Sequence, residues 1–276
     1  MPICIECRAP IKTLYTTYSK ADDRALGKGV RLTQCPRCKR FADKYVEHDF
    51  VVIFIDMVLI KPQVYRHLLF NSLSRDDGRF DRSILRLGTL LLLFDVYLTW
   101  ARIEKLSFPP SSSSHQHALR LHTSPLLAQY AFFLLLVSLS TIAFHAPIRL
   151  LTSLPPSSFP PPLRTLIPYY PHPNAVSTAL LVSSCTKLFP ILLIIWEYDL
   201  RRSAAAVGWA VLVNNVAALE ILVGCGYGRA GAVVGVGAVM RAGVQGAMLT
   251  AVGLEGVWEY GLVGEVVRVG RGVWGV

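Results

Sequence analysis

The sequence predicts an α-helical polytopic membrane protein of four to five transmembrane helices with a small N-terminal zinc-ribbon-like domain. Three observations predict this. Apolar residues make up 53% of the 276-residue chain and charged residues 17%, whereas soluble domains carry about 25% charged residues. Residues 1–86 hold 16 of the 28 Lys+Arg and 10 of the 18 Asp+Glu, which leaves a charge-poor body behind a basic head. Four of the six cysteines lie in the first 38 residues, as two Cys-x2-Cys pairs. With a mean hydropathy of +0.44, an ordinary soluble enzyme and an intrinsically disordered chain are both excluded.

The head, residues 1–49, is short, polar and turn-rich. It shows no basic region followed by an apolar run, so no cleavable signal peptide is expected and the head is placed in the reducing cytosol. There, cysteine pairs read as metal ligands before disulfides or free thiols. Cys4-x2-Cys7 and Cys35-x2-Cys38 supply four thiolates, which suit a tetrahedral, structural Zn2+ rather than Mg2+ or Ca2+. Arg8, Arg37, Lys39 and Arg40 offset the charge of such a site. A zinc ribbon with this basic balance could meet nucleic acid, but an apolar body follows at once, and anionic lipid is the better partner.

Residues 50–71 form an interfacial segment. The run Phe50–Ile60 is too short to span a bilayer, which takes about 20 residues. Val51–Ile55 could make a strand. The longer stretch could instead be a helix on the membrane surface, with Lys61, Arg66 and His67 toward headgroups and Pro62 interrupting it. Asp56 could pair with Arg66 or Lys61, or cap a surface turn. Arg66 and His67 could hold a lipid phosphate or simply snorkel. Residues 72–86 read as a basic linker.

The transmembrane region, 87–254, contains spans at about 87–103, 125–145, 175–196 and 204–224, with a further one at 230–254. Trp196 is an interfacial aromatic and Pro190 a bend in the third span. A connector at 146–173 holds 9 of the 17 prolines, which makes it polyproline-like. Residues 255–276 form a Gly/Val-rich tail. Gly224-x3-Gly228 and Gly231-x3-Gly235 have the spacing of close helix packing. Basic flanks place the head, linker and Pro-rich connector in the cytosol and the 104–124 loop in the lumen, although Arg201 and Arg202 then fall on the luminal side.

Ionisable and amide groups inside spans are costly and often functional. Asp95, Lys187, Asn214, Asn215 and Glu220 are such groups. Asp95 and Lys187 could pair across helices, and Glu220 could pair with Arg241; together they would make a polar path or a set of structural pairs. His115, His117 and His122 beside the Ser111–Ser114 run read as a solvated loop. Cys185 and Cys225 read as small buried apolar residues. No G-x-S-x-G elbow, Walker loop or H-E-x-x-H is present, and Asp76-Asp77 is linker-like, so no enzyme is expected.

The head also carries a resemblance. The four cysteines at this spacing, then Asp43-Lys44-Tyr45-Val46-Glu47 and the block Asp56…Tyr65-Arg66-His67…Asn71, resemble the Arv homology domain over about residues 1–71. The chain is thereby similar to the Arv family of endoplasmic-reticulum membrane proteins. The resemblance implies zinc ligation by Cys4, Cys7, Cys35 and Cys38. It marks Asp56, Tyr65, Arg66, His67 and Asn71 as motif positions of unknown role. It further implies sterol and sphingolipid homeostasis, sterol export, and delivery of glycosylphosphatidylinositol precursors. Membrane lipids, sterol or glycolipid, are the expected partners. A scaffold that recruits a lipid-synthesis enzyme complex through the zinc head is the alternative, and a membrane enzyme is third.

Overall fold

The computed structural model describes residues 1–19, 28–73, 80–104, 124–188 and 200–253. Side chains of residues 17–19, 28–30, 102–104 and 200–206 are outside that description. The Ser111–Ser114 run, His115, His117, His122, Pro190, Trp196 and the 255–276 tail also lie outside the described residues, as do Asp76 and Asp77.

The head contains a two-stranded antiparallel ribbon, β1 (Tyr15–Ser19) against β2 (Lys28–Leu32), with Tyr15 opposite Leu32. At its base sit two tight turns. A one-turn 3-10 helix follows at Lys44–Glu47, capped by Asp43, whose side chain accepts from the Tyr45 amide.

The 50–71 segment is helical. Helix α1 (Phe50–Val58) wins over a strand despite the β-branched run because one face packs inward, burying Asp56 and Met57. It stops in a Schellman motif: the Lys61 amide donates to Asp56 O at 3.1 Å and the Ile60 amide to Met57 O at 3.1 Å. This puts Ile60 at φ 55°, a left-handed conformation that a β-branched residue adopts at a cost of about 1–2 kcal/mol. Helix α2 (Pro62–Arg66) begins at Pro62, where a missing N–H does no harm, and widens into one π turn over His67–Ser72.

The bundle consists of α3 (Arg82–Glu104), α4 (Leu126–Ser153), the short α5 (Pro161–Leu166), α6 (Pro173–Ser183), α7 (Leu200–Val223) and α8 (Tyr227–Ala251). The last part of the basic linker is therefore the first turn of α3, where Asp81 Oδ1 accepts from the Ser83 amide. Among the described residues, Arg82–Ala101, Leu126–Ser153 and Tyr227–Ala251 are long and apolar enough to cross a membrane, and Val207–Val223 is a shorter apolar helix. The fifth predicted span is thus a continuous helix. The third, 175–196, is described only to Leu188: α6 tightens into a 3-10 turn over Ser184–Leu188. Helix α4 runs on through Pro147 into the predicted connector.

The largest core cluster joins the head to the bundle. Ile5, Tyr45, Met57, Val64, Tyr65 and Leu69 pack with Ile84 of α3, Ile148 of α4, Leu180 of α6, Leu219 of α7 and Val233 of α8. A second cluster, Val96, Phe133, Leu136, Val137 and Leu249, closes the opposite end. Membership of the two clusters gives α3, α4 and α8 their directions, and the C-terminal residues of α7 in the first cluster give its own. Helices α3 and α8 start at the head and run away from it; α4 and α7 return. The linker, the Pro-rich connector and the Gly224–Gly226 turn therefore share the head's side, as the alternation of spans requires.

Helix α8 packs on α4 through Gly237. A Cβ there would lie 2.7 Å from Ile148 Cδ1 and 2.9 Å from Phe144 O. This corrects the predicted Gly spacings: Gly228, Gly231 and Gly235 meet nothing within 4 Å, and Gly224, at φ 69°, serves the turn into α8. Spacing puts glycines on one stripe of a helix but does not say which stripe faces the neighbour.

Candidate metal centre and its clamp

The two Cys-x2-Cys turns are the same device used twice. The Cys4 amide donates to Ala9 O and the Arg8 amide to Cys4 O; 31 residues on, the Cys35 amide donates to Arg40 O and the Lys39 amide to Cys35 O. Arg8 and Lys39 take the same left-handed conformation, φ 60° and 61°. Each turn is closed by a single bridge, Ile3 to Pro10 and Gln34 to Phe41. The repeat brings four thiols together from two places in the chain.

All six cysteines are free. The Sγ atoms of Cys4, Cys7, Cys35 and Cys38 lie within 4.8 Å of one another. Cys4 and Cys38 Sγ are 3.7 Å apart and Cys7 and Cys35 Sγ 3.5 Å. A tetrahedron with metal–sulfur bonds of about 2.3 Å has edges of about 3.8 Å, so the four residues fit one thiophilic ion. Burial pushes the Cys4 thiol up to about 12. The backbone amides of Cys38 and Arg37 aim at Cys35 and bring it down to about 6. A bound cation favours the thiolate at every position, most of all at buried Cys4.

The motif positions of the resemblance form a clamp around this centre. Asp43, fully buried, is the hub. Its Oδ1 accepts from the Tyr45 amide at 3.0 Å. Its Oδ2 accepts from Asn71 Nδ2 and faces His67 Nδ1, each at 2.7 Å. Asn71 also donates to Ile3 O at 3.0 Å and accepts from the Ile3 amide at 2.8 Å, which pins the residue before Cys4. Arg66 Nη1 donates to Ile5 O at 2.7 Å and Glu6 O at 3.0 Å, inside the first Cys-x2-Cys turn. Tyr65 OH donates to Met57 O at 3.2 Å.

Arg66 and His67 therefore do not face headgroups or a lipid phosphate, in contrast to the sequence expectation. Their partners lie 61 and 24 residues earlier in the chain. Asp56 pairs with Lys61, not Arg66: Lys61 Nζ lies 2.6 Å from Oδ1, and Tyr45 OH donates to Oδ2 at 2.7 Å. Burial opposes ionisation of Asp56, but the bonds from Lys61 and Tyr45 outweigh it and hold the carboxyl below its usual range. Burial, then Asp56, pushes the Tyr45 phenol up. Burial also pushes Tyr65 up. Asp43 and Tyr45 lie inside the resembling block but are not marked as motif positions by it; a buried carboxylate needs partners, and that was the available signal.

Within the bundle, a polar belt lies between the two apolar clusters. Lys187 Nζ is 2.7 Å from Asp95 Oδ2, the predicted pair. Arg241 approaches the same oxygen at 3.6 Å. Asn214 Nδ2 donates to Thr186 Oγ1, and Ser183 and Ser184 donate to Asn215 Oδ1. Asp95 and Arg241 each stand about 20 Å along their helices from the head-side start. Glu220 does not pair with Arg241. It stands one turn before the Gly224–Gly226 turn, whereas Arg241 lies about 22 Å beyond it, and its field acts on Arg66 and Cys225 instead.

Fold and site together define a polytopic helical membrane protein whose N-terminal four-cysteine, zinc-ribbon-like head is clamped onto one end of its bundle. The Arv1-like family model matches residues 3–219, and the chain belongs to that family. It is 37% identical over 223 residues to Protein arv1 of Schizosaccharomyces pombe, covering 80% of this chain and 75% of that one. It is 29% identical over 281 residues to Protein ARV1 of Saccharomyces cerevisiae (82% and 83%) and 30% over 202 residues to Protein ARV1 of Bos taurus (71% and 60%). No solved structure matches. Membership supports a role in sterol and lipid homeostasis in the general sense. Helix α8 lies beyond the matched residues.

Proposed function

We propose that the protein handles lipid in the endoplasmic-reticulum membrane, with its N-terminus in the cytosol, and takes part in intracellular sterol and lipid transport. In this reading it also affects sphingolipid metabolism and the delivery of glycosylphosphatidylinositol precursors. The polar belt at mid-depth carries the reading. Polar groups from α3, α6, its 3-10 extension, α7 and α8 converge between the helices, where a lipid's hydroxyl or headgroup would otherwise meet only hydrocarbon. Zn2+ is the ion the four thiolates would hold, as a closed, structural site. The protein acts without catalysis. The test is purified protein in liposomes with a labelled sterol and a labelled glycolipid. Movement above protein-free liposomes, lost in Asp95→Asn, supports transport; a folded, metal-loaded sample that moves neither contradicts it.

A second reading rests on a different observation. Helix α1 exposes an apolar face, and a scaffold recruiting a lipid-synthesis enzyme complex would need such a surface on the head. Co-purification of an enzyme complex, lost when that face is made polar, would favour it.

A further inference from the structure

We propose that the exposed face of α1 is a monotopic anchor inserted into the phospholipid leaflet on the head's side of the bundle. The inference holds or fails independently of lipid transport. Val51, Val52, Ile55 and Leu59 fall on one helical stripe and are all exposed, Val51 at 64% and Leu59 at 62%. Phe50, 76% exposed, stands at the start of the helix and stacks on Phe54 at 6.4 Å. The opposite face, Asp56 and Met57, is turned into the core.

Composition selects the occupant. From Phe50 to Ile60 the only polar side chain is Asp56, and Tyr45 and Lys61 hold it inward. The outward stripe thus has no hydrogen-bonding side chain. A protein interface of useful size carries about one hydrogen bond per 100–200 Å²; the boundary of acyl chains and headgroups asks for none.

Position agrees. Met57 shares one core with Ile84, Val176, Leu219 and Ala230, residues near the head-side ends of α3, α6, α7 and α8. Helix α1 therefore sits where the bundle leaves the hydrocarbon. Lys61, with 47% of its side chain exposed, follows the stripe directly. Exposed Arg82 and Arg86 flank the start of α3, with exposed Leu85 between them. Cations at that level suit lipid phosphates while their stems lie along apolar surface. The same geometry gives the clamp a purpose, since it fixes α1 at a set depth relative to the ribbon.

The test uses the full chain in vesicles of phosphatidylcholine and phosphatidylinositol. Benzoylphenylalanine replaces Ile55 or Leu59; Leu93, an exposed residue of α3, is the membrane reference, and Phe41, exposed on the ribbon, the aqueous one. Irradiation and mass spectrometry read phospholipid adducts. Adducts at 55 and 59 at the level of Leu93, with none at Phe41, are expected. Adducts no higher than at Phe41, or adducts to a second copy or another protein, would overturn the proposal. Ile55→Glu should reduce the adduct at position 59 to the Phe41 level while bound metal stays unchanged. An undiminished adduct at 59 in that variant would equally overturn it. Should Ile55→Glu lose metal, the crosslinks decide alone, because they alter no core residue.

Discussion

Replacing Asp43 by Ala removes the acceptor for three donors that stay behind: the Tyr45 amide, His67 Nδ1 and Asn71 Nδ2. A hydrogen bond to a charged acceptor contributes about 1.5–3 kcal/mol, and buried donors left alone bear their desolvation. The three share one carboxylate and do not add, so the net loss is about 4 kcal/mol. In the proposed Zn2+-bound head, which has little core of its own, folding and ion binding are coupled, so lost clamp energy would reappear as lost metal affinity. The loss corresponds to about 10³-fold weaker apparent Zn2+ binding. The assay is competition with a chelator on the full chain in detergent. Asn71→Ala, which keeps the His67 and Tyr45 contacts, should weaken binding by about 10²-fold. The double variant should fall short of the summed losses, because the two residues share a bond. Asp43→Ala binding within about threefold of the unaltered chain would refute the coupling of clamp and metal.

Gly237→Ala should destabilise the α4–α8 crossing by about 1–3 kcal/mol, read as a lower midpoint in detergent melting, because its Cβ would meet Phe144 O. Gly235→Ala, in open space, should leave the midpoint unchanged. Lys187→Met should cost about 1–3 kcal/mol, and the added Asp95→Asn should recover part of it, since the two groups interact. Tyr65 is buried and its phenol is raised, so its contribution is fully present below pH 10 and lost as pH climbs beyond. Tyr65→Phe should flatten the alkaline fall in stability there; an identical slope would contradict the assignment.

What was legible in the sequence were features that carry their meaning locally. The paired Cys-x2-Cys spacing points first to a shared ion, ahead of disulfides or free thiols, and the structure brings all four sulfurs together. Asp95 and Lys187 were legible because charges in a hydrocarbon setting need partners. The Phe50–Val58 run was ambiguous: its β-branched residues allow a strand, and only packing of Asp56 and Met57 against the head selects the helix. Arg66 and His67 were misread because basic residues after an apolar run suggest headgroups, while their true partners are the Ile5 and Glu6 carbonyls and Asp43. Long-range partners of that kind leave no local pattern. The Glu220–Arg241 pairing failed for a related reason, since it ignored how far from the Gly224–Gly226 turn each residue stands.

The four-cysteine ribbon, the clamp and the head-side end of the bundle fold as one unit. Hydrogen exchange on the full chain in detergent, with metal and after chelation, tests it most directly. Chelation should raise exchange in the ribbon and also across Ile53–Asn71, Val176–Cys185 and Leu219–Cys225, which share the core. The far cluster around Val96, Phe133 and Leu249 should stay protected. Exchange that rises in residues 3–41 alone, with Tyr65 and Leu219 as protected as before, would contradict the claim.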